Sequence, residues 1–337
     1  MTPTAPSPVH VLITLDFPAS FLAAVRNVDP RVVVHHHPVS VAADGVPASV
    51  LAAAEVMYTS DLLPAVAQAP ALRWVQLDTS GVDHVRSSPL WDSGVLLTTL
   101  GGVGAAPVAE WVLMMVLAHA HHLRETQAFA ADQHWPSRED RWKLLMPRDL
   151  RSSTLGVVGY GQIGKEVARL ARALGMQVLA VRRGASTSPA GASPTVDGVS
   201  EMGADRLDVV LASSDYLVLT VPLTPQTQGM IGARELGLVK SGAVIVNASR
   251  GGVVDEPALL AALDRGQVDL VASDVFATEP LPSDHPLWTH PRSVVTPHVA
   301  GFAPDYLDAV CALFTANLRR YVDGAPLLNV ADRDRGY

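Results

Sequence analysis

Arg250, Glu279 and His298 each follow a short apolar segment, and their side-chain types suit one reaction. A carbonyl that accepts hydride develops negative charge on its oxygen, and a nearby acid must deliver a proton. Histidine suits that task near neutral pH, and a carboxylate beside it favours the imidazolium and fixes the orientation of the ring. Arginine can bind a substrate carboxylate through two parallel hydrogen bonds. The set therefore predicts the reduction of a 2-oxo acid.

A glycine-rich segment, Gly159-Tyr160-Gly161-Gln162-Ile163-Gly164, could hold a dinucleotide. It follows an apolar run and precedes an amphipathic one, which is the strand–turn–helix context that gives such a segment meaning. The first glycine permits a tight turn, the second lets the backbone approach a pyrophosphate, and the third lets helix and strand pack closely. The helix N-terminus would present N–H groups to the phosphates. The alternative is a tight turn without a ligand.

Two arginines, Arg182 and Arg183, stand about 20 residues past the glycines, where the cofactor ribose is recognised. An acidic residue at this place serves the ribose hydroxyl of NAD, whereas arginine suits the 2′-phosphate of NADP by charge and by its planar fork of donors. No acidic residue follows before Asp197, and the hydroxyls of residues 184–188 could add hydrogen bonds. The pattern predicts NADP in preference to NAD, with a solvated strand end as the alternative.

Short β-branched runs alternate with helical patterns, which predicts parallel sheets with helices on both faces. In a first series we expect strands at residues 11–15, 31–35, 54–58, 72–76 and 95–98. In a second series we expect them at residues 154–158, 177–181, 216–220, 243–247, 270–274 and 294–296. A long helix is expected at 107–130, a connection at 133–151 and a final helix at 304–322. The three reactive residues then follow strands of the second series, at the edge where open α/β sheets bind ligands.

Composition sets the remaining bounds. The 337 residues suit two domains, and 48% hydrophobic against 17% charged residues provide a large core. The net charge of −8 argues against nucleic acid or an anionic membrane as a partner, and the single Cys311 fits a reducing compartment. Residues 1–10 do not resemble a signal peptide, and the most apolar stretch, 108–120, is too short to span a bilayer. We therefore expect a cytoplasmic enzyme.

Two groups of histidines could suggest a metal. Three consecutive residues, His35 to His37, cannot all face one way in a strand, so a loop at a strand end is favoured. His119, His121 and His122 have no accompanying carboxylate or cysteine cluster, so a solvated helix end is favoured. No metal site is expected.

With these motifs in order, the chain resembles the D-2-hydroxyacid dehydrogenase family over nearly its whole length. The matching stretches besides the glycine segment are SGVD at 80–83, PVAEW at 107–111, VPLTPQT at 221–227, NASRG at 247–251, DVFATEP at 274–280 and TPH at 296–298. The segments at 279–282 and 285–291 are similar to those of the glyoxylate/hydroxypyruvate reductase branch.

The resemblance implies roles for further residues. Arg250 would bind substrate, and Glu279 would pair with His298, the acid/base. Asp274 would hold the nicotinamide amide, and Arg183 aligns better than Arg182 with the phosphate-binding arginine of NADP-using relatives. The other implied cofactor residues are Val221, Pro222, Thr227, Ala248, Ser249 and Gly301. The implied substrate residues are Ser80, Gly81 and Val82, of which the last two offer backbone N–H groups to the carboxylate.

The resemblance also implies an architecture of two doubly wound, parallel-sheet domains of the Rossmann and flavodoxin type, with a cleft between them. Residues 1–101 and 300–337 would form the substrate-binding domain, and residues 102–299 the dinucleotide-binding Rossmann domain. The long helix after Pro107 usually builds a homodimer interface in such proteins.

Other functions of this fold remain as alternatives. A corepressor-like scaffold would bind NAD(H) and partners without significant turnover, and a phosphoglycerate dehydrogenase-like enzyme would use a phosphorylated substrate. Little sequence follows the last predicted helix, so neither a regulatory tail nor a regulatory domain is expected. Glu279 argues against formate dehydrogenase, and Ser80 stands where phosphite dehydrogenase has lysine.

Overall fold

A computed structural model describes residues 7–39, 45–184, 193–194 and 198–337. The chain divides into two compact units, one of Met1–Val103 with Ala303–Tyr337 and one of Gly104–Phe302. The assignment of substrate binding to the first unit and dinucleotide binding to the second stays a prediction. The proposed hydroxyl-bearing loop lies largely outside the described residues, as does Asp197.

The first unit is built on a five-stranded parallel sheet of order β2-β1-β3-β4-β5. Its strands are β1 (Val9–Ile13), β2 (Val32–His36), β3 (Val56–Thr59), β4 (Trp74–Leu77) and β5 (Leu96–Thr98). Its helices are α1 (Ala19–Arg26), α2 (Ala48–Ala53) and α10 (Tyr306–Val322). Alternate residues of a strand enter opposite core clusters, Val11 and Ile13 on one face and Leu12 on the other, so both faces of the sheet are covered.

The second unit is built on seven parallel strands of order β13-β12-β11-β10-β6-β7-β9, with a two-residue antiparallel strand, β8, at the edge. Its strands are β6 (Thr154–Val158), β7 (Gln177–Val181), β8 (Ser193–Pro194), β9 (Ser200–Met202), β10 (Tyr216–Leu219), β11 (Ala243–Asn247), β12 (Val268–Ser273) and β13 (Ser293–Val295). Its helices are α3 (Ala105–Ala120), α4 (Leu123–Ala131), α5 (Arg138–Leu144), α6 (Gln162–Ala173), α7 (Leu207–Ser213), α8 (Ala233–Leu238) and α9 (Glu256–Asp264). The predicted fold class is confirmed in both units.

Two local predictions are wrong, and one strand was not predicted. The long helix breaks between α3 and α4, where His122 takes a left-handed backbone conformation with φ +51°. The predicted connection at 133–151 contains α5, whose N-cap Ser137 accepts a hydrogen bond from Asp140 N. Strand β9 was not predicted, because its Ser-Glu-Met sequence lacks the β-branched residues that signal a strand.

The histidine triplet lies at a strand end, one residue further into the strand than expected. His35 lies in β2, His36 extends that strand by one residue and His37 follows it. The first two rings each have a partner: His35 Nε2 is 2.9 Å from His10 Nδ1, and His36 Nε2 is 2.9 Å from Leu15 O. Across the described ranges, no three His, Cys, Asp or Glu side chains are grouped so that they could hold a metal. No helix in the same ranges is long and apolar enough to cross a membrane.

Candidate active site

Three adjacent strands of the second unit, β11, β12 and β13, end at the same edge of the sheet. The loops that follow them carry Arg250, Glu279 and His298 in turn. Because the strands are parallel and neighbouring, residues far apart in sequence are delivered to one place. This edge is where open α/β sheets bind their ligands.

The central contact of the site joins the histidine to the glutamate. His298 Nδ1 lies 2.8 Å from Glu279 Oε2, and Glu279 Oε1 accepts a hydrogen bond of 2.9 Å from Phe276 N. The two side chains are 49% and 36% exposed, so solvent and small molecules can approach them. With Nδ1 engaged by the carboxylate, Nε2 is the ring nitrogen placed to exchange a proton with a bound molecule.

Asp274 organises the loop that carries the histidine. Its carboxylate is only 3% exposed and accepts hydrogen bonds from Thr296 Oγ1 at 2.5 Å, Val299 N at 2.9 Å and Ala300 N at 2.9 Å. Its carbonyl oxygen accepts from His298 N at 2.9 Å. The loop is thereby fixed on both sides of His298, which itself has φ +54°. The implied role of Asp274 toward a nicotinamide amide stays a prediction.

The arginine stands on a turn shaped by its neighbours. Asn247 Oδ1 accepts from Ser249 N at 3.2 Å and from Ser249 Oγ at 2.6 Å, and Arg250 Nη1 donates to Ser249 O at 2.8 Å. The next residue, Gly251, packs against the loop after β12: a Cβ added there would lie 1.7 Å from Phe276 C. The loop after β11, which carries Arg250, is the arginine loop, and the loop after β12, which carries Glu279, is the glutamate loop. Only glycine at position 251 lets these two loops approach this closely.

The glycine segment forms the turn between β6 and α6. Gly159 has φ +106°, and Thr220 Oγ1 donates to its carbonyl oxygen at 2.6 Å. A Cβ added at Gly164 would lie 2.2 Å from that same oxygen, so the helix packs directly on the turn. At Gly161, by contrast, an added Cβ would meet no atom of the described residues within 4 Å. The backbone is thus open at the one glycine predicted to face a pyrophosphate.

The remaining predicted cofactor residues lie in the second unit, near the carboxyl ends of its strands. Gln162 and Ile163 open α6, and Tyr160 just before them is buried. Thr227 fastens the loop after β10, because its Oγ1 donates to Pro222 O at 2.6 Å and accepts from Thr224 N at 2.8 Å. The others are half-buried Val221, Pro222, Ala248 and Gly301 and buried Ser249.

Arg182 and Arg183 lie exposed just past the end of β7. Arg182 Nε is 2.9 Å from Glu201 Oε2, and Arg182 N donates to Met202 O at 3.0 Å. Sequence order suggests no acidic residue near the arginines, yet β9 brings one beside them. The charge of Arg182 is therefore partly balanced within the protein.

The predicted substrate residues of the first unit follow β4. Ser80 is exposed and Gly81 half-buried, Val82 is buried, and Thr79 Oγ1 donates to Gly81 O at 2.7 Å. Just before this turn, burial raises the pKa of the Asp78 carboxyl, partly offset by the hydrogen bond of 2.6 Å that it accepts from Tyr58 Oη. The role of Ser80, Gly81 and Val82 in binding a substrate carboxylate stays a prediction.

Two acidic residues of the second unit, Glu201 on β9 and Glu256 at the start of α9, were not identified from the sequence. Glu256, at the start of α9, accepts from Ala277 N at 2.8 Å. Asp255 and Pro257 signal the beginning of that helix, but no signal in the sequence shows that the glutamate between them reaches a residue 21 positions further on.

The chain is similar to proteins of known family. Residues 113–300 match the family described as D-isomer specific 2-hydroxyacid dehydrogenase, NAD binding domain. A glyoxylate reductase from Aeropyrum pernix is 32% identical over 292 residues, which cover 83% of this chain and 84% of that protein.

Two solved structures are similar over 98% of this chain and 100% of theirs. One is a D-isomer specific 2-hydroxyacid dehydrogenase from Xanthobacter autotrophicus Py2 in complex with NADPH and MES, with a TM-score of 0.82 and 28% identity. The other is an NADPH-dependent glyoxylate/hydroxypyruvate reductase from Sinorhizobium meliloti in complex with NADP and sulfate, with a TM-score of 0.81 and 29% identity.

Proposed function

This chain belongs to the D-isomer specific 2-hydroxyacid dehydrogenase family and is an NAD(P)-dependent oxidoreductase, and we propose that it reduces a small 2-oxo acid such as glyoxylate or hydroxypyruvate to the D-2-hydroxy acid. The observation that carries the proposal is the contact of 2.8 Å between His298 Nδ1 and Glu279 Oε2 at the carboxyl edge of the sheet. The choice of substrate is supported by the similarity to glyoxylate and hydroxypyruvate reductases.

The residues present fit a dinucleotide. Gly161 leaves the backbone open at the N-terminal end of the twelve-residue helix α6, and two arginines stand past the neighbouring strand β7. Helix N-termini attract phosphate groups through their N–H groups and partial positive charge. When bound, the cofactor supplies the hydride for the reduction.

The chain's own residues would bind the substrate and move the proton. Arg250 binds the substrate carboxylate and polarises the carbonyl. His298 donates a proton from Nε2 to the carbonyl oxygen as negative charge develops there. The Glu279 carboxylate beside Nδ1 stabilises the imidazolium and keeps the ring from turning.

The test is a panel of 2-oxo acids assayed with the purified protein and both cofactors. We expect turnover of glyoxylate and hydroxypyruvate, with the D-hydroxy acid as the product from hydroxypyruvate. His298→Asn should lower kcat by about 100-fold or more while cofactor binding survives. Turnover of 3-phosphohydroxypyruvate in place of the two small acids would favour the phosphoglycerate dehydrogenase-like alternative. No turnover of any 2-oxo acid would favour the scaffold.

We also propose that NADP(H) is preferred over NAD(H). Arg182 and Arg183 supply positive charge where the ribose would lie, and two similar structures hold NADPH or NADP. Because Arg183 aligns better than Arg182 with the phosphate-binding arginine of NADP-using relatives, we expect Arg183→Ala to lower the ratio of kcat/KM for NADPH to that for NADH more than Arg182→Ala does. A wild type that favours NADH, or a ratio unmoved by both changes, would leave the arginines as a solvated strand end.

We further propose a homodimer formed through α3. This helix exposes Met114 (51%) and Leu117 (36%) at an apolar depression of about 690 Å³. The family resemblance implies a homodimer interface on this helix, and exposed apolar side chains grouped on one face favour such a contact. The apolar residues that line it include Leu113, Met114, Leu117, Leu123, Leu170 and Leu174. Met114→Glu should yield monomer in size-exclusion chromatography with light scattering, whereas Leu238→Glu, a matched change on α8, should not.

A cytoplasmic location stays a prediction.

A further inference from the structure

The backbone of Phe276 and Ala277 is held by three contacts. Gly251 packs against it, with 1.7 Å between an added Cβ and Phe276 C. Phe276 N donates to Glu279 Oε1 at 2.9 Å, and Ala277 N donates to Glu256 Oε1 at 2.8 Å. Two successive amides thus each have a carboxylate of their own, one from the catalytic pair and one from α9.

Glu256 also reaches the far end of the same loop. Its Oε2 lies 3.4 Å from His285 Nε2, and the two side chains are only 15% and 17% exposed. His285 Nδ1 in turn accepts a hydrogen bond of 3.3 Å from Leu287 N. The Glu256 carboxylate therefore links α9 to Ala277 and to His285, which lie on either side of Glu279 in the loop after β12.

We propose that Glu256 is a positioning residue for the Glu279–His298 pair, an inference that rests on the proposed function. The hydrogen bond from Ala277 N and the contact with Gly251 hold the 276–277 peptide. This limits how far the backbone can turn at Phe276, and so helps to keep the N–H of the preceding peptide directed at Glu279 Oε1. That N–H holds Glu279 Oε1, which leaves Oε2 for His298 Nδ1. Catalytic groups must be held within a fraction of an ångström, so supporting contacts of this kind affect turnover.

The consequence for proton transfer has a definite sign. A carboxylate held close to Nδ1 stabilises the imidazolium, so a loosened Glu279 lets His298 lose its proton at lower pH. Reduction needs the protonated ring, so the alkaline limb of the kcat profile must move to lower pH. The titratable groups on α9 and on the loops at 248–255, 274–292 and 296–301 are Arg250, Asp255, Glu256, Asp264, Asp274, Glu279, Asp284, His285, His290, Arg292 and His298.

The experiment compares Glu256→Ala with two controls by initial rates of glyoxylate reduction across pH. We expect Glu256→Ala to lower kcat about tenfold and to move the alkaline limb by about half a pH unit or more toward acid. Glu256→Gln keeps an oxygen for Ala277 N and should keep the wild-type limb. Glu235→Ala removes a comparable contact, the hydrogen bond from Gly232 N just before α8, and should lower stability without moving the limb.

The proposal would be overturned if Glu256→Ala left the alkaline limb of the kcat profile unmoved and lost no more stability than Glu235→Ala. If Glu256→Ala does not fold, Glu256→Asp withdraws the carboxylate by one methylene and must move the limb in the same direction. The same shift is measurable without turnover by NMR titration of the His298 ring, identified by its loss in His298→Asn. A wild type inactive on all 2-oxo acids would count against the proposed function, and this titration would still decide the role of Glu256.

Discussion

Gly251→Ala is the sharpest single change that the structure offers. The added Cβ would lie 1.7 Å from Phe276 C, 2.1 Å from Ala277 N and 2.1 Å from Phe276 O. All three are backbone atoms, so no side chain can turn aside. Ordinary contact begins at 3.4 Å, which means that the arginine loop and the glutamate loop must separate by roughly 1.7 Å.

That displacement sets the expected size of both effects. A misplacement of about 1 Å can cost about 100-fold in rate, so we expect kcat/KM for glyoxylate to fall at least about 100-fold. Forcing a methyl group into a packed backbone contact should cost about 3 kcal/mol of the free energy of unfolding, or roughly 10 °C in Tm.

The neighbouring Gly252 supplies the control. A Cβ there would lie 3.3 Å from Leu223 Cδ1, the far end of a flexible side chain, so Gly252→Ala needs only a small adjustment. Both variants would be assayed with the better of NADPH and NADH, with Tm from thermal scans and the fold checked by circular dichroism. If Gly251→Ala keeps kcat/KM within about threefold of Gly252→Ala, the close approach of the two loops does not govern the site.

Three further changes test other contacts. Glu279→Gln removes the anion beside His298, so kcat for reduction should fall about 100-fold and its alkaline limb should move to lower pH; an unmoved limb would contradict the pairing. Asp274→Asn replaces an oxygen that fixes the histidine loop, so both kcat and Tm should fall in rate assays and thermal scans, and two unchanged values would show the loop to be held otherwise. The hydrogen bond to His119 is the largest cause that lowers the pKa of Asp269. The ionised Asp269 therefore stabilises the folded protein above the pKa that this carboxyl has in the unfolded chain. That stabilisation is lost as the pH falls through the pKa of the folded state. Asp269 is 38% exposed, so Asp269→Asn should lower Tm by only about 2 °C at neutral pH, with wild type and variant converging in acid; a difference independent of pH would exclude this linkage.

The sequence by itself determined most of the strands, the ends of some of them and the glycine turn. Strands β6, β7 and β11 have the predicted bounds, because their apolar runs are bounded by polar or glycine residues. The Gly159 turn was readable for the same reason, since a left-handed backbone followed by a close helix leaves few residue types available. Once the strands were parallel neighbours, the residues after them had to share an edge, and the family resemblance implied the pairing of Glu279 with His298.

Only the tertiary structure decided which side chains engage one another. Glu201 reaches Arg182 because β9 adds to the sheet beside β7, and Glu256 reaches Ala277 because the loop after β12 returns over α9. The break at His122 likewise replaced the single long helix that its sequence predicts. Local patterns record the preferences of a few consecutive residues, whereas these contacts depend on how segments far apart in sequence pack together, and packing routinely overrides local propensity.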